Sequence, residues 1–162
     1  MNPARLIVLA ALTASCAAPS AVPPAVPVAV AQLPTATVAE FVQARQAGMH
    51  MMATMNAKGI VPRAKGQGDL KDTPWSEGIE MFAAAIPGLF PPGTLHPQSR
   101  AKPEIWANKA DFDAKARNLG EAAHAVTVAG QANDLAAYSA AAARLGEACS
   151  ACHSVYRGPP VH

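Results

Sequence analysis

Five consecutive residues near the C-terminus constrain this chain more than any other feature: Cys149, Ser150, Ala151, Cys152 and His153 form the pattern C-x-x-C-H. On a helix, two thiols three positions apart lie about one turn apart, and a histidine four residues after the first projects from the same face. One short stretch can then form two thioether bonds to a porphyrin and bring an imidazole to its iron. The motif therefore predicts one covalently attached haem c, with Cys149 and Cys152 as attachment residues and His153 as the axial iron ligand.

A C-x-x-C pair also occurs in redox dithiols and in zinc sites. A redox dithiol needs a βαβ context, and the sequence shows none. A structural zinc site needs two further ligands at close spacing, whereas the remaining histidines, His50, His96, His124 and His162, are scattered along the chain. Haem attachment is therefore the favoured interpretation of the motif.

Alanine supplies most of the apolar character of this sequence. Hydrophobic residues make up 51% of the chain but aromatic residues only 5%, a balance that favours closely packed helices. Runs of β-branched residues with a period of two are missing from the sequence, so the predicted fold class is all-α. The formal net charge is +2, without a basic stripe interleaved with aromatic residues, and nucleic acid is not an expected partner.

Four helical stretches can be read from apolar periodicity and from helix start and stop signals. They run from 37 to about 57, from 74 to 86, from about 103 to 129, and from about 134 to 156. A capping box at Thr37 starts the first, and Gly59 with Pro62 is expected to end it. The fourth carries Leu135 and both motif cysteines on one buried stripe. A proline-rich stretch, 87–103, separates the second from the third, so we expect an antiparallel four-helix bundle with a long crossover between helices 2 and 3.

The N-terminal residues have the pattern of a secretory signal peptide. Residues 1–15 are predicted to be a signal peptide of the lipoprotein type, in which Cys16 becomes the lipid-anchored first residue, and cleavage after Ala31 is the alternative. Residues 16–36 form an Ala/Pro-rich linker, and residues 37–162 form the bundle. The expected location is the periplasm, with membrane anchoring if Cys16 is lipidated.

The chain resembles the cytochrome c-prime family, four-helix-bundle cytochromes of the c type. The resemblance rests on the motif at the very end of the chain followed by Tyr156 and Arg157, on the segments 89–94 and 102–106 around the crossover, and on 45–49 in the first helix. It implies that His153 is the proximal ligand with Arg157 near it. It also implies that Arg45 and Gln46 reach the haem propionates. Homodimers are common in the family, and a homodimer is expected here.

Met49 is the residue that decides between two functions. The resemblance places it at the open side of the haem, where most members carry a bulky apolar residue that leaves the iron five-coordinate. Such a site binds small diatomic gases such as nitric oxide. In low-spin relatives a methionine is the sixth ligand, and the resulting His-Met site transfers electrons to a redox partner protein. We favour the five-coordinate form and keep Met49 ligation as the alternative.

Two further readings of the first helix carry less weight. Met49, His50, Met51, Met52 and Met55 could form a Cu(I) site, although methionine more often fills gaps in a core. An enzyme such as a haem peroxidase would need an acid/base side chain beside the open iron position. The sequence offers apolar Met49 there, so the chain is not expected to be an enzyme.

Overall fold

The computed structural model describes residues 37–160. Within that range the chain is helical and contains no strand, in agreement with the predicted class. The α-helices are α1 (Val38–Thr54), α2 (Val61–Ala64), α3 (Pro74–Ala85), α4 (Glu104–Ala107), α5 (Lys109–Gln131) and α6 (Leu135–Tyr156). A π-helical segment (Met55–Ile60) joins α1 to α2, and a 3-10 turn (Ile86–Leu89) follows α3.

The predicted start of the first helix is confirmed, but its predicted end is wrong. Thr37 and Glu40 form the capping box: each backbone N–H donates to the other side chain, at 2.5 and 3.3 Å. The helix does not stop at Gly59 or Pro62 but continues to Ala64. Gly59 lies inside the π-helical segment against Trp75, and Pro62 is the second residue of α2, which follows that segment directly.

Local start signals also locate the later helices. Pro74 is the first residue of α3, as predicted, and the Asp134 carboxylate accepts a hydrogen bond from the Ala137 N–H at 3.0 Å to cap α6. The third predicted helix is interrupted at Asn108, which separates α4 from α5. Leu135, expected on the buried stripe of the fourth helix, is instead 44% exposed, because it is the first residue of α6.

The architecture is the expected antiparallel four-helix bundle, built from α1, α3, α5 and α6. Helix α5 packs against both α3 and α6. The core is formed by buried side chains from every bundle helix, including Met52, Ile79, Ala123, Val126, Tyr138 and Leu145. These positions repeat every three to four residues along each helix, so the apolar stripes of the sequence become one shared interior.

The predicted crossover joins α3 to α5. It runs without regular structure from Phe90 to Pro103, after the short 3-10 turn. Its last part is held to the end of α6 by an isolated antiparallel bridge between Ala101 and Arg157 and by the Gly158 N–H, which donates to the Arg100 carbonyl at 2.7 Å. The crossover therefore lies next to the helix that carries the C-x-x-C-H motif.

The predictions for residues 1–36, including the signal peptide, Cys16 lipidation, cleavage after Ala31 and the linker, lie outside the described residues. Within 37–160, no helix combines the length and the apolar character needed to cross a membrane.

Candidate functional site

A cavity of about 220 Å³ lies in the bundle interior and is walled by all four long helices. Most of its lining is apolar. The lining side chains belong to Met49, Met52, Ala53, Asn56, Ile79, Ile86, Lys115, Ala116, Leu119, Leu145, Ala148, Cys149, Cys152 and His153. All three functional residues of the C-x-x-C-H motif are therefore brought to one cavity.

Helix α6 supplies the motif wall. Cys149 and Cys152 are both half-buried, both free of disulfide bonds, and packed against the hydrophobic core. Burial raises the pKa of both thiols, which keeps them protonated near neutral pH. The predicted location of the cysteines on the core-facing side of the helix is confirmed.

His153 lies beside Cys152 on the same wall and is also half-buried. Burial lowers its pKa, and the positive charges of Arg157 and Arg100 lower it further. The neutral imidazole that results is the form that binds a metal ion. Arg157 is exposed, and its Nη1 lies 3.3 Å from the Nδ1 of His153. The expected proximity of Arg157 to His153 thus agrees with the structure.

Helix α1 and the start of the π-helical segment supply another wall. Met49, Met52, Ala53 and Asn56 are spaced by three and four residues, so they share one face of the helix, and all four line the cavity. His50 and Met51 are exposed and lie outside the lining. The methionines of this stretch therefore do not converge with His50, which disfavours the Cu(I) interpretation.

Arg45 and Gln46 are engaged with the crossover and are not part of the described cavity lining. Arg45 is 4% exposed, and its guanidinium donates to the Leu89 carbonyl at 2.6 Å, to the Thr94 carbonyl at 2.9 Å and to the Thr94 hydroxyl. Gln46 is exposed and donates to the Gln98 carbonyl at 3.0 Å. Their contacts with haem propionates stay a prediction.

Sequence reasoning missed two polar residues of the cavity, Lys115 and Asn56. Lys115 lies three residues after Phe112 and four before Leu119, which places it on the inward stripe of α5. Asn56 lies seven residues after Met49, again on one helix face. In both cases a polar residue occupies a helix position whose neighbours three, four or seven residues away are apolar and face the core. This pattern is visible in the sequence and indicates an inward-facing polar side chain.

The arrangement fits a haem c. Two thiols one turn apart stand on one wall of the cavity, a neutral imidazole follows them, and the rest of the lining is mostly apolar. On the α1 wall the candidate iron ligands are thioethers, those of Met49 and Met52. The site can therefore hold a haem by covalent attachment, ligate its iron with His153, and leave a weak ligand or none on the remaining side.

Comparison with known proteins gives a consistent result. A sequence model of a protein family described as Cytochrome C' matches residues 40–157. A cytochrome c-556 from Agrobacterium tumefaciens is 45% identical over 79 residues, which are 49% of this chain and 63% of the relative. The chain thus spans less than two thirds of the length of that relative.

Solved structures match over a larger part of the chain. Cytochrome c' from Thermochromatium tepidum superposes with a TM-score of 0.70 at 30% identity, covering 77% of this chain and all of the other (100%). The nitric oxide complex of a mutant of cytochrome c prime from Alcaligenes xylosoxidans has a TM-score of 0.70 at 28% identity and covers 78% of this chain and 99% of the other.

Proposed function

Because this chain belongs to the cytochrome c' family, which binds one covalently attached haem c, we propose that it is a periplasmic mono-haem cytochrome with a five-coordinate iron that binds diatomic gases. Cys149 and Cys152 hold the haem and His153 is the single protein ligand to the iron. The haem supplies an iron centre that exchanges one electron and accepts a small ligand on its free side. Nitric oxide is the gas that we propose, and its complex with a cytochrome c prime of the same fold supports this choice.

The observation that carries the proposal is the chemical asymmetry of the cavity. Its α6 wall offers an imidazole, a strong iron ligand, while its α1 wall offers two thioethers, an alanine methyl and a carboxamide. The α1 side chains leave a crowded, largely apolar space that admits a diatomic gas and disfavours larger ligands. His50 lies outside this lining, so no acid/base side chain from α1 supports peroxidase chemistry, and we assign no catalytic residue.

A second candidate is a six-coordinate electron-transfer cytochrome with Met49 as the sixth ligand. The observation that favours it is that Met49 is only half-buried and lines the same cavity as His153. A flexible methionine can move its sulfur within such a cavity. The closed iron site would then exchange electrons with a redox partner protein instead of binding gas.

The absorption spectrum of the ferric protein separates the two candidates. We expect a high-spin spectrum without a methionine-to-iron charge-transfer band, and binding of nitric oxide by the ferrous form. Met49→Leu should leave the spin state unchanged. The matched control is Met81→Leu on α3, because Met81 is 76% exposed and lies outside the cavity lining.

A low-spin native spectrum that becomes high-spin in Met49→Leu, but not in Met81→Leu, would establish the electron-transfer alternative. A chain that never acquires covalent haem while both cysteines are intact would refute both candidates. The homodimer, the lipid anchor at Cys16 and the redox partner protein stay predictions from the sequence.

A further inference from the structure

Lys115 is a charged residue at an inward position of the bundle. Helix α5 turns Phe112, Ala116 and Leu119 toward the core, and all three are buried. Lys115 lies between them on the same stripe, lines the cavity, and has a side chain that is 23% exposed. A lysine at such a position extends its apolar stem along the core and brings its ammonium group to the edge of the cavity.

The positive charge of Lys115 is incompletely compensated. Among the described side chains that line the cavity, it is the one with a permanent charge. Its nearest carboxylate is that of Asp111, at 3.7 Å between Nζ and Oδ1, which is beyond hydrogen-bond distance. The other Asp111 oxygen accepts a hydrogen bond from the Tyr156 hydroxyl at 2.6 Å, and the Asp111 side chain is 55% exposed to solvent. Much of the field of the ammonium is therefore free to act on the cavity.

This field reaches the place where the haem is attached. Lys115 lines the same cavity as Cys149, Cys152 and His153, so its charge acts across a poorly solvated space on whatever those residues hold. Reduction of a haem adds one electron to the iron and removes one positive charge from the centre, with no proton required. A fixed cation nearby therefore stabilises the ferrous state relative to the ferric state, because the ferric centre carries one more positive charge and like charges repel.

We propose that Lys115 sets the haem reduction potential of this chain by holding a positive charge in the cavity wall. The proposal rests on the haem occupying the cavity, as in the proposed function, but it does not depend on whether the iron has five or six ligands. Lys115 acts on the iron through the electrostatic field and does not ligate it. Its proposed role is electrostatic, and it is not a catalytic residue.

The test is a spectroscopic redox titration of the full haem-loaded chain, with dithionite as the reductant. Lys115→Gln should lower the reduction potential by about 59 mV, which for a one-electron couple is a shift on the order of tenfold toward the ferric form. Lys115→Arg should keep the native potential because it keeps the charge. Lys115→Met is a second neutral variant that preserves the unbranched stem, so the measurement can still be made if the glutamine variant does not fold.

Lys109 provides the matched control. It lies on the same helix and pairs with the carboxylate four residues ahead, Asp113, but it does not line the cavity. Lys109→Gln should leave the potential unchanged. The proposal is overturned if neutral variants of Lys115 keep the native potential, or if Lys109→Gln lowers it equally. The absorption spectra of the same samples report the number of iron ligands, so a failure of the five-coordinate assignment is seen separately.

Discussion

Arg45 carries its charge into the bundle interior and ties the first helix to the crossover. All three of its hydrogen-bonding nitrogens find oxygen acceptors, on Leu89 at the end of the 3-10 turn and on Thr94 in the crossover. The guanidinium carbon lies 4.3 Å from the centroid of the Phe90 ring and 5.8 Å from that of Trp106. Burial lowers the pKa of the guanidinium, but the group stays charged and its charge is spread over these contacts.

We therefore expect Arg45→Met to destabilise the protein by about 3 kcal/mol, since it leaves buried acceptors without donors and removes the ring contacts. Chemical denaturation of the haem-loaded protein measures this free energy. The neighbouring Gln46→Ala is the control, because Gln46 is exposed and makes one hydrogen bond to the crossover, so its loss should cost less than about 0.5 kcal/mol. Equal effects of the two substitutions would contradict an anchoring role for Arg45.

At the scale of helices, the starts could be predicted from the sequence and one end could not. Thr37 and Asp134 cap their helices by hydrogen bonds to residues three positions ahead, and Pro74 is the first residue of its helix. Such start signals involve only neighbouring residues, so they can be predicted from the sequence. The end expected at Gly59 and Pro62 depends on a tertiary partner. Glycine weakens an isolated helix, but at position 59 the Trp75 side chain fills the space that a larger residue would need.

Gly59→Ala tests this explanation. A Cβ atom at Gly59 would lie 2.2 Å from Cγ and 2.6 Å from Cβ of Trp75, too close for either to remain in place. Overpacking of this kind costs about 1–3 kcal/mol, which exceeds the gain of about 1 kcal/mol that alanine brings to a helix. We expect a net loss of stability and a lower melting temperature.

Gly146→Ala on α6 is the matched control for that experiment. No atom lies within 4 Å of a Cβ built there, so the substitution should show the helix preference alone and stabilise the protein by up to about 1 kcal/mol. Opposite signs for the two glycines would support the tertiary explanation. A stabilising Gly59→Ala would instead mean that the segment tolerates a side chain and that Trp75 moves aside.

At the scale of the whole molecule, the haem site combines a local motif with a cavity that four helices create together. That Cys149, Cys152 and His153 come together could be predicted from the sequence, because the C-x-x-C-H spacing places them close together on one helix; their roles in holding a haem stay a prediction. The walls could not be predicted to the same degree. The register of α5 indicates that Lys115 faces inward, but which side chains it meets depends on the packing of α5 against α3 and α6. The sequence pattern of α1 does not set the distance between Met49 and an iron on the other wall.

The cavity also gives the haem a structural role. The cavity walls are mostly apolar, so a haem held there would cover them from water and would add packing contacts that the chain alone does not make. A small domain is stable by only about 5–15 kcal/mol, so the chain without haem should be marginally folded. We expect the double variant Cys149→Ser, Cys152→Ser to lack covalent haem and to melt about 20 °C lower, as followed by circular dichroism.

Ser150, which lies between the two motif cysteines on α6, supplies the control for this loss. It is exposed and does not line the cavity, so haem attachment and melting should both stay at native values in Ser150→Ala. If the double variant melts as the native protein does, the helices close the cavity on their own and the haem adds no stability to the fold. A lower melting temperature in the double variant alone would instead mean that the attached haem is part of the packed core and stabilises the fold.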